Sequence, residues 1–264
     1  MAPQYGPHRW SAGYHDDGTN EALHGARFEV KDLAGARFVD CDLTGAKVVD
    51  GCLVDVDLSG YVERLLVNGV DVTDYVAAEL DRRHPERVQL REVRDADGFR
   101  AMWQTLERLW SEAVARAEQL PVDARDARVD DEWSFAETLR HLVFITDSWV
   151  SRTILDDPAP FHPLGLPQTA YRPADARALG IDLDAHPTWD EVLAARADRV
   201  GVVRGVLAGL ADADLGRGCA RAPAPGYPEG ERPVWECLSV LMEEECEHLR
   251  FATRDLAVLE GGGA

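Results

Sequence analysis

The fold is decided by a helix that carries its own start signal: Ser134-Phe135-Ala136-Glu137-Thr138-Leu139-Arg140-His141-Leu142-Val143-Phe144. Ser134 and Glu137 have the spacing of a capping box, in which each residue satisfies a backbone N–H of the other. Apolar residues then recur at helical spacing as far as Ile154. A second capping box, Thr188 with Glu191, predicts another amphipathic helix that runs to about Gly209.

Two more segments have the same apolar periodicity. One covers about residues 97–120, and the other begins after Pro233 and ends at the glycines from Gly261 onward. Between the second and third helices, residues 157–187 contain six prolines, which predicts a long irregular crossover. We therefore predict a mainly α protein whose four-helix bundle occupies residues 97–264, preceded by a charged connecting segment at 76–96.

A strict period of five precedes the helices. It is formed by Leu23, Phe28, Leu33, Phe38, Leu43, Val48, Leu53 and Leu58. Neither a helix nor a strand has this period, whereas a solenoid with one pentad on each side of a square coil does. The segment resembles the pentapeptide-repeat family, which implies a right-handed quadrilateral β-helix of two coils.

A short hairpin is predicted after the pentads, at residues 63–72. Asn68-Gly69 supplies the two positive φ angles of a type I′ turn. We assign residues 21–75 to the β-helix with its hairpin, and residues 1–20 to a poorly patterned tail.

The composition of the chain argues against several classes of binding partner. The net charge of −20 disfavours binding to nucleic-acid phosphates and to anionic membranes. No apolar run reaches the length of a transmembrane helix, and the N-terminus lacks a signal-peptide pattern. The five cysteines are scattered and form no Cys-x-x-Cys pair, so neither a disulfide framework nor a zinc knuckle is expected. We predict a cytoplasmic protein with reduced thiols.

A candidate metal site comes from two helices. Glu244 and His248 are four residues apart, so both lie on one face of the last helix, at the border of its apolar stripe. His141 lies in the apolar helix that starts at Ser134. Two histidines and one carboxylate that meet between bundle helices would hold a metal with open coordination positions.

The helical region resembles the DinB-like (DinB/YfiT) superfamily over roughly residues 95–260. The resemblance rests on Glu132-Trp133-Ser134-Phe135 continued to His141, on Phe161-His162-Pro163-Leu164-Gly165-Leu166-Pro167, and on Glu244 and His248 continued by Arg250-Phe251-Ala252 and Arg254-Asp255-Leu256. It implies a metal on His141, Glu244 and His248. Many relatives have three histidines, and Glu244 departs from that pattern. The resemblance leaves the metal open, with zinc first and nickel, manganese or iron as alternatives.

The resemblance also implies an activity. Superfamily members include metal-dependent S-transferases that use low-molecular-weight thiols such as mycothiol, bacillithiol or glutathione. A cationic centre lowers the pKa of a bound thiol and so creates the nucleophile. We predict this type of enzyme, with a small electrophile as substrate. A hydrolase that uses a metal-activated water, and a non-catalytic interaction protein that docks through its pentapeptide module, are alternatives. A homodimer stays open.

Other side chains near these positions have secondary assignments. His162 in the crossover, Trp110 in the first bundle helix and Arg140 beside His141 are the candidate substrate contacts. The acidic neighbours on the last helix, Glu243, Glu245 and Glu247, are expected on a solvated face. Cys237 and Cys246 are expected to pack in the core.

Overall fold

The computed structural model of the protein describes residues 25–38, 41, 43–60, 62–168, 171–227 and 229–261. The protein is mainly helical, with 54% of the described residues in helices. The described helices are α1 (Thr73–Arg83), α2 (Pro85–Glu92), α3 (Ala96–Gln119), α4 (Phe135–Thr146), α5 (Pro173–Ala178), α6 (Trp189–Gly209) and α7 (Val234–Gly261). The strands pair as two short hairpins, β1 (Leu66–Val67) with β2 (Val70–Asp71) and β3 (Gly218–Cys219) with β4 (Arg232–Pro233).

The four long helices predicted from the apolar periodicity are confirmed as α3, α4, α6 and α7. Both capping boxes form. The Glu137 N–H donates to Ser134 Oγ at 3.2 Å, and the Thr188 N–H donates to Glu191 Oε2 at 2.8 Å. The helix that begins at Phe135 changes at Asp147 into a π-helical segment, Asp147–Ile154. Such wide turns occur most often at functional sites.

The core lies where α4 packs between α6 and α7 and where α3 packs on α7. The largest side chains that are almost fully buried come from three of these helices and from the π-helical segment; they include Phe99, Met102, Leu106, Leu139, Leu142, Ile145, Trp149, Leu238, Leu241 and Met242. Every residue of α4 except Glu137 is buried, so this helix occupies the interior of the bundle.

Residues 76–96 are not the connecting segment expected from their charge, because they form most of α1 and all of α2. The charges themselves stabilise these helices. Glu79 binds Arg82 and Arg83 within α1, three and four residues away. Asp81 pairs with Arg91 of α2. No residue of α1 is buried.

The hairpin at residues 63–72 is confirmed. Leu66 pairs with Asp71 and Val67 with Val70, and the two residues between them have positive φ, 49° at Asn68 and 83° at Gly69. The pentad segment shows no strand in its described residues, and its apolar residues from Phe28 to Leu58 are exposed. The quadrilateral β-helix therefore stays a prediction. The tail at 1–20 and Leu23 lie outside the described residues.

The crossover between Ile154 and Trp189 is held against α4 by backbone hydrogen bonds. It contains the short helix α5, and its Leu166 N–H donates to the Arg140 carbonyl at 3.1 Å. Arg140 Nε donates to the Leu164 carbonyl at 2.9 Å. These contacts place residues 164–166 over the face of α4 that carries His141. Among the described residues, no helix combines the length and the apolar character that spanning a bilayer requires.

Candidate metal centre

Three side chains from two helices meet between α4 and α7. Nε2 of His141 lies 3.5 Å from Oε2 of Glu244, and Nε2 of His248 lies 3.2 Å from the same oxygen. One ligand atom from each residue lies within 4.8 Å of the other two. Two ligands at about 2.0 Å from a tetrahedral zinc ion are about 3.3 Å apart, so these separations match a shared ion.

The local sequence explains how α7 presents its two ligands. A spacing of four residues stacks Glu244 and His248 one turn apart on the same face of the helix. The packing of α4 on α7 then brings His141 to that face. His141 is buried, whereas Glu244 and His248 are partly exposed. The cluster thus has a closed side within the bundle and an open side.

A hydrogen bond from the crossover orients His141. Its Nδ1 lies 2.8 Å from the carbonyl oxygen of Leu166. A carbonyl only accepts, so Nδ1 carries the proton and Nε2 keeps its lone pair. That lone pair is directed at the cluster. Metal-binding histidines are held in this way by a partner on their second nitrogen.

The protonation of the cluster suits metal binding. Burial lowers the pKa of His141, and the opposing effect of Glu244 is smaller, so the ring is neutral. Burial raises the pKa of the Glu244 carboxyl, but the adjacent imidazoles of His141 and His248 outweigh it and hold this pKa well below its usual range. An ionised carboxylate beside a neutral imidazole is the donor state that a divalent metal requires.

Aromatic rings surround the cluster. The ring of Trp133 lies 4.6 Å from that of His141 and stacks on His248 at 5.9 Å. Phe144 lies 6.3 Å from His141, and Phe251 lies 6.5 Å from His248. Trp133 immediately precedes Ser134, the capping residue of α4. This position in the sequence is the signal that Trp133 lies near the ligands. These rings form an apolar wall suited to an organic ligand.

Comparison with known families agrees with this architecture. The family model described as the DinB superfamily matches residues 105–252, which is more than half of the chain. The chain belongs to the DinB superfamily. Pentapeptide repeats match residues 23–60 in eight copies, in agreement with the period of five. Neither the curated proteins nor the solved structures contain a match.

In the DinB bundle, the three residues predicted to contact substrate, Arg140, His162 and Trp110, have different partners. Arg140 donates from Nε and Nη1 to the carbonyls of Leu164 and Ala185, so it ties the crossover to α4. Nδ1 of His162 accepts from the Leu164 N–H at 3.1 Å, a local contact within the loop. Trp110 is buried and packs edge-on against Phe135. A substrate contact by any of the three stays a prediction.

The solvated face predicted for the acidic neighbours of Glu244 is wrong for two of them. Glu245 is 0% exposed and Glu247 is 4% exposed. Both Glu245 oxygens accept from Nη2 of Arg196 on α6, at 2.7 and 2.6 Å. Glu247 pairs with Arg87 of α2. Partners on other helices compensate these charges, which their spacing along α7 does not reveal.

The packing role predicted for the two cysteines of α7 agrees with their burial. Cys237 is 0% exposed and Cys246 is 3% exposed. Burial raises the pKa of Cys237 to about 12 and that of Cys246 well above its usual range. Both thiols therefore stay protonated and behave as small apolar groups.

The sequence did not reveal a buried ion pair between Asp147 and Arg199. Asp147, at the start of the π-helical segment, is 0% exposed. It accepts from Arg199 Nε of α6 at 2.7 Å and from the His162 N–H at 2.8 Å. Asp147 thereby links α4, α6 and the crossover. Burial raises the pKa of Asp147 to about 6, although the hydrogen bonds from Arg199 act in the opposite direction.

Proposed function

We propose that this protein is a metal-dependent enzyme that joins a small thiol to an electrophilic small molecule. The observation that carries the proposal is the cluster of His141, Glu244 and His248, whose ligand atoms have the mutual separations of a shared metal ion. Three protein ligands leave coordination positions for a reactant, as in catalytic rather than structural zinc sites. Zinc is the first candidate for the metal.

The chain's own residues supply the geometry of the site. His141, locked by the Leu166 carbonyl, presents Nε2, and Glu244 contributes the negative charge that balances a divalent cation. When bound, the metal lowers the pKa of a thiol or a water molecule and so makes it a nucleophile near neutral pH. The rings of Trp133 and Phe144 keep water from one side of the cluster.

The proposed reaction is a transfer of sulfur to carbon. The thiol loses its proton to solvent, and its sulfur forms a bond to the electrophilic carbon. The leaving group departs with the bonding electrons. The apolar wall favours this reaction because an organic thiol and an organic electrophile both gain from contact with aromatic rings.

Hydrolysis is the alternative, and it rests on the composition of the donor set. Two histidines and one glutamate also hold zinc in metalloproteases, where the nucleophile is water. The two activities differ in one property. A transferase depends on added thiol, whereas a hydrolase turns over its substrate without one.

The first test measures metal content in tag-free protein purified from cells. We expect about one equivalent of a transition metal in the wild type and in His186→Ala, which replaces an exposed histidine. His248→Ala should lose most of it. No metal in the wild type, even after addition of zinc, nickel, manganese and iron(II), would exclude both enzyme proposals and favour the interaction protein.

The second test assigns the reaction. The metal-loaded protein is incubated with electrophilic model substrates, such as an alkyl halide and an activated ester, with and without a small thiol. Thioether formation that requires both the thiol and His248 would support the transferase. Ester cleavage that is independent of thiol but requires His248 would support the hydrolase instead.

A further inference from the structure

Two polar atoms in the crossover are buried without hydrogen-bond partners. Within the described part of the chain, neither the hydroxyl of Tyr171 nor Oε1 of Gln168 has one. Tyr171 is 6% exposed. The two residues belong to one turn, because the Tyr171 N–H donates to the Gln168 carbonyl at 2.8 Å. A buried polar atom without a partner costs about 1–3 kcal/mol, so the pair calls for an explanation.

Phe144 connects Tyr171 with the candidate metal centre. The ring of Phe144 is 6.3 Å from that of His141 and 5.8 Å from that of Tyr171, so it is a neighbour of both residues. The other end of the Gln168 amide donates from Nε2 to the Tyr227 hydroxyl at 3.2 Å. The loop before α7 therefore also contacts Gln168, through Tyr227.

A further atom without a partner lies in the π-helical segment that continues α4. Ser148 is 0% exposed, and its Oγ has no partner among the described residues. It follows His141 by seven residues, which is about two helical turns, and so it lies on the same side of the helix. Buried polar atoms without partners among the described residues therefore occur both in the crossover and in the helical segment that follows His141.

We infer that Tyr171 and Gln168 form a recognition subsite for a hydroxyl group on the thiol cosubstrate. The inference rests on the proposed function, since it concerns the ligand of the same metal centre. A hydroxyl donates to Gln168 Oε1 and accepts from the Tyr171 hydroxyl, so one group satisfies both buried atoms. A carboxylate only accepts, and it would leave the Gln168 oxygen without a partner.

The electrostatics of the subsite also suit a neutral ligand. Burial raises the pKa of Tyr171 above its usual range, so its hydroxyl keeps its proton and remains a donor. The guanidinium of Arg152, one of the charges that act on Tyr171, donates to the carbonyls of Ala222 and Pro158. A neutral hydroxyl thus enters without the cost of burying a charge.

The test compares two probes that differ only in a terminal hydroxyl, mercaptohexanol and hexanethiol. Their dissociation constants are measured by calorimetry with the zinc-loaded wild type, Tyr171→Phe and Tyr75→Phe. Tyr75 is an exposed tyrosine of α1, so its variant is the matched control. We expect Tyr171→Phe to reduce the preference for mercaptohexanol over hexanethiol about tenfold. Tyr75→Phe should leave it unchanged.

Measurements of the Tm distinguish the proposed role of the Tyr171 hydroxyl in recognition from a role in the stability of the fold. Because the hydroxyl of Tyr171 has no partner among the residues that the structure describes, its removal should leave the Tm unchanged or raise it. A lower Tm with an unchanged probe preference would overturn the inference and assign the hydroxyl to the fold. An unchanged preference with an unchanged Tm would overturn it as well.

The same titration in His248→Ala separates this inference from the proposed function. If both probes bind His248→Ala as tightly as they bind the wild type, the thiol proposal fails. The subsite is then tested by the Tyr171→Phe comparison alone. If neither probe binds the wild type, both proposals fail. Binding that requires His248 but shows no dependence on Tyr171 overturns only the subsite.

Discussion

The side chain of His141 donates from Nδ1 to the carbonyl oxygen of Leu166 across 2.8 Å. This bond joins a candidate metal ligand on α4 to the crossover that follows the helix. It selects the tautomer of the imidazole, and it makes the position of the crossover a determinant of how His141 faces Glu244 and His248. The crossover is thereby a part of the candidate site, in addition to being a connection between two helices.

A first prediction tests this dependence through Gly165. A Cβ atom at this position would lie 3.1 Å from the His162 carbonyl, which is closer than an ordinary contact, so Gly165→Ala should shift the backbone of the crossover next to Leu166. We expect zinc affinity to fall about tenfold, because the partner of Nδ1 moves. Competition with a chelating dye measures the change. The control is Gly205→Ala on α6, where an added Cβ meets no atom. Equal affinity in both variants would exclude a role for the Leu166 contact.

A second prediction concerns the carboxylate ligand. Glu244→Ala removes one of three donors and should reduce zinc affinity by more than tenfold. Glu244→His replaces the carboxylate oxygen with an imidazole nitrogen at the position where many DinB relatives carry a histidine. We expect this variant to retain about one equivalent of metal. Metal content in Glu244→Ala equal to that of the wild type would show that Glu244 is not a ligand.

The buried pair of Glu245 and Arg196 leads to a third prediction, on stability. Glu245→Ala leaves the guanidinium of Arg196 buried without its counter-charge, which should lower the free energy of unfolding by about 3–5 kcal/mol. Arg196→Met with Glu245→Leu removes both charges and should recover most of the loss. Urea unfolding measures all three proteins.

The control for this prediction is a pair at the surface. Glu112 and Arg108 lie four residues apart on α3 and are 58% and 61% exposed. Glu112→Ala should cost less than about 1 kcal/mol. Similar losses in Glu112→Ala and Glu245→Ala would show that the burial of the second pair has no energetic weight.

A fourth prediction follows from the pKa of Asp147, which burial raises to about 6 from an ordinary value of 3.8. The folded protein therefore holds this proton at a higher pH than the unfolded chain. Asp147 consequently contributes most stability below its unfolded pKa, and the contribution is lost as the pH rises through about 6. Between pH 4.5 and pH 7.5 the loss should be about 2 kcal/mol.

The variant Asp147→Asn isolates this effect, because it cannot titrate. We expect the stability difference between the wild type and Asp147→Asn to be larger at the lower pH. Asp184→Asn, at an exposed position of the crossover, is the control and should show no such trend. A difference that is constant with pH, or that grows towards neutral pH, would contradict the raised pKa.

The long helices and one half of the candidate site follow from local sequence. Capping boxes at Ser134 and Thr188 mark helix starts because their hydrogen bonds join residues only three positions apart. The i,i+4 spacing of Glu244 and His248 likewise specifies a shared face wherever α7 lies. The helices α1 and α2 were not predicted, because charge pairs rather than an apolar stripe stabilise them.

Tertiary structure decided everything that depends on partners far apart in the chain. The buried Glu245 pairs with Arg196, which lies 49 residues earlier in the chain. No periodicity in α7 distinguishes Glu245 from a solvated acid. The approach of His141 to Glu244, its tautomer and the wall formed by Trp133 likewise depend on how α4, α7 and the crossover pack. Local spacing determines which side chains share a helix face, but only packing between elements determines what that face meets and hence its protonation and its chemistry.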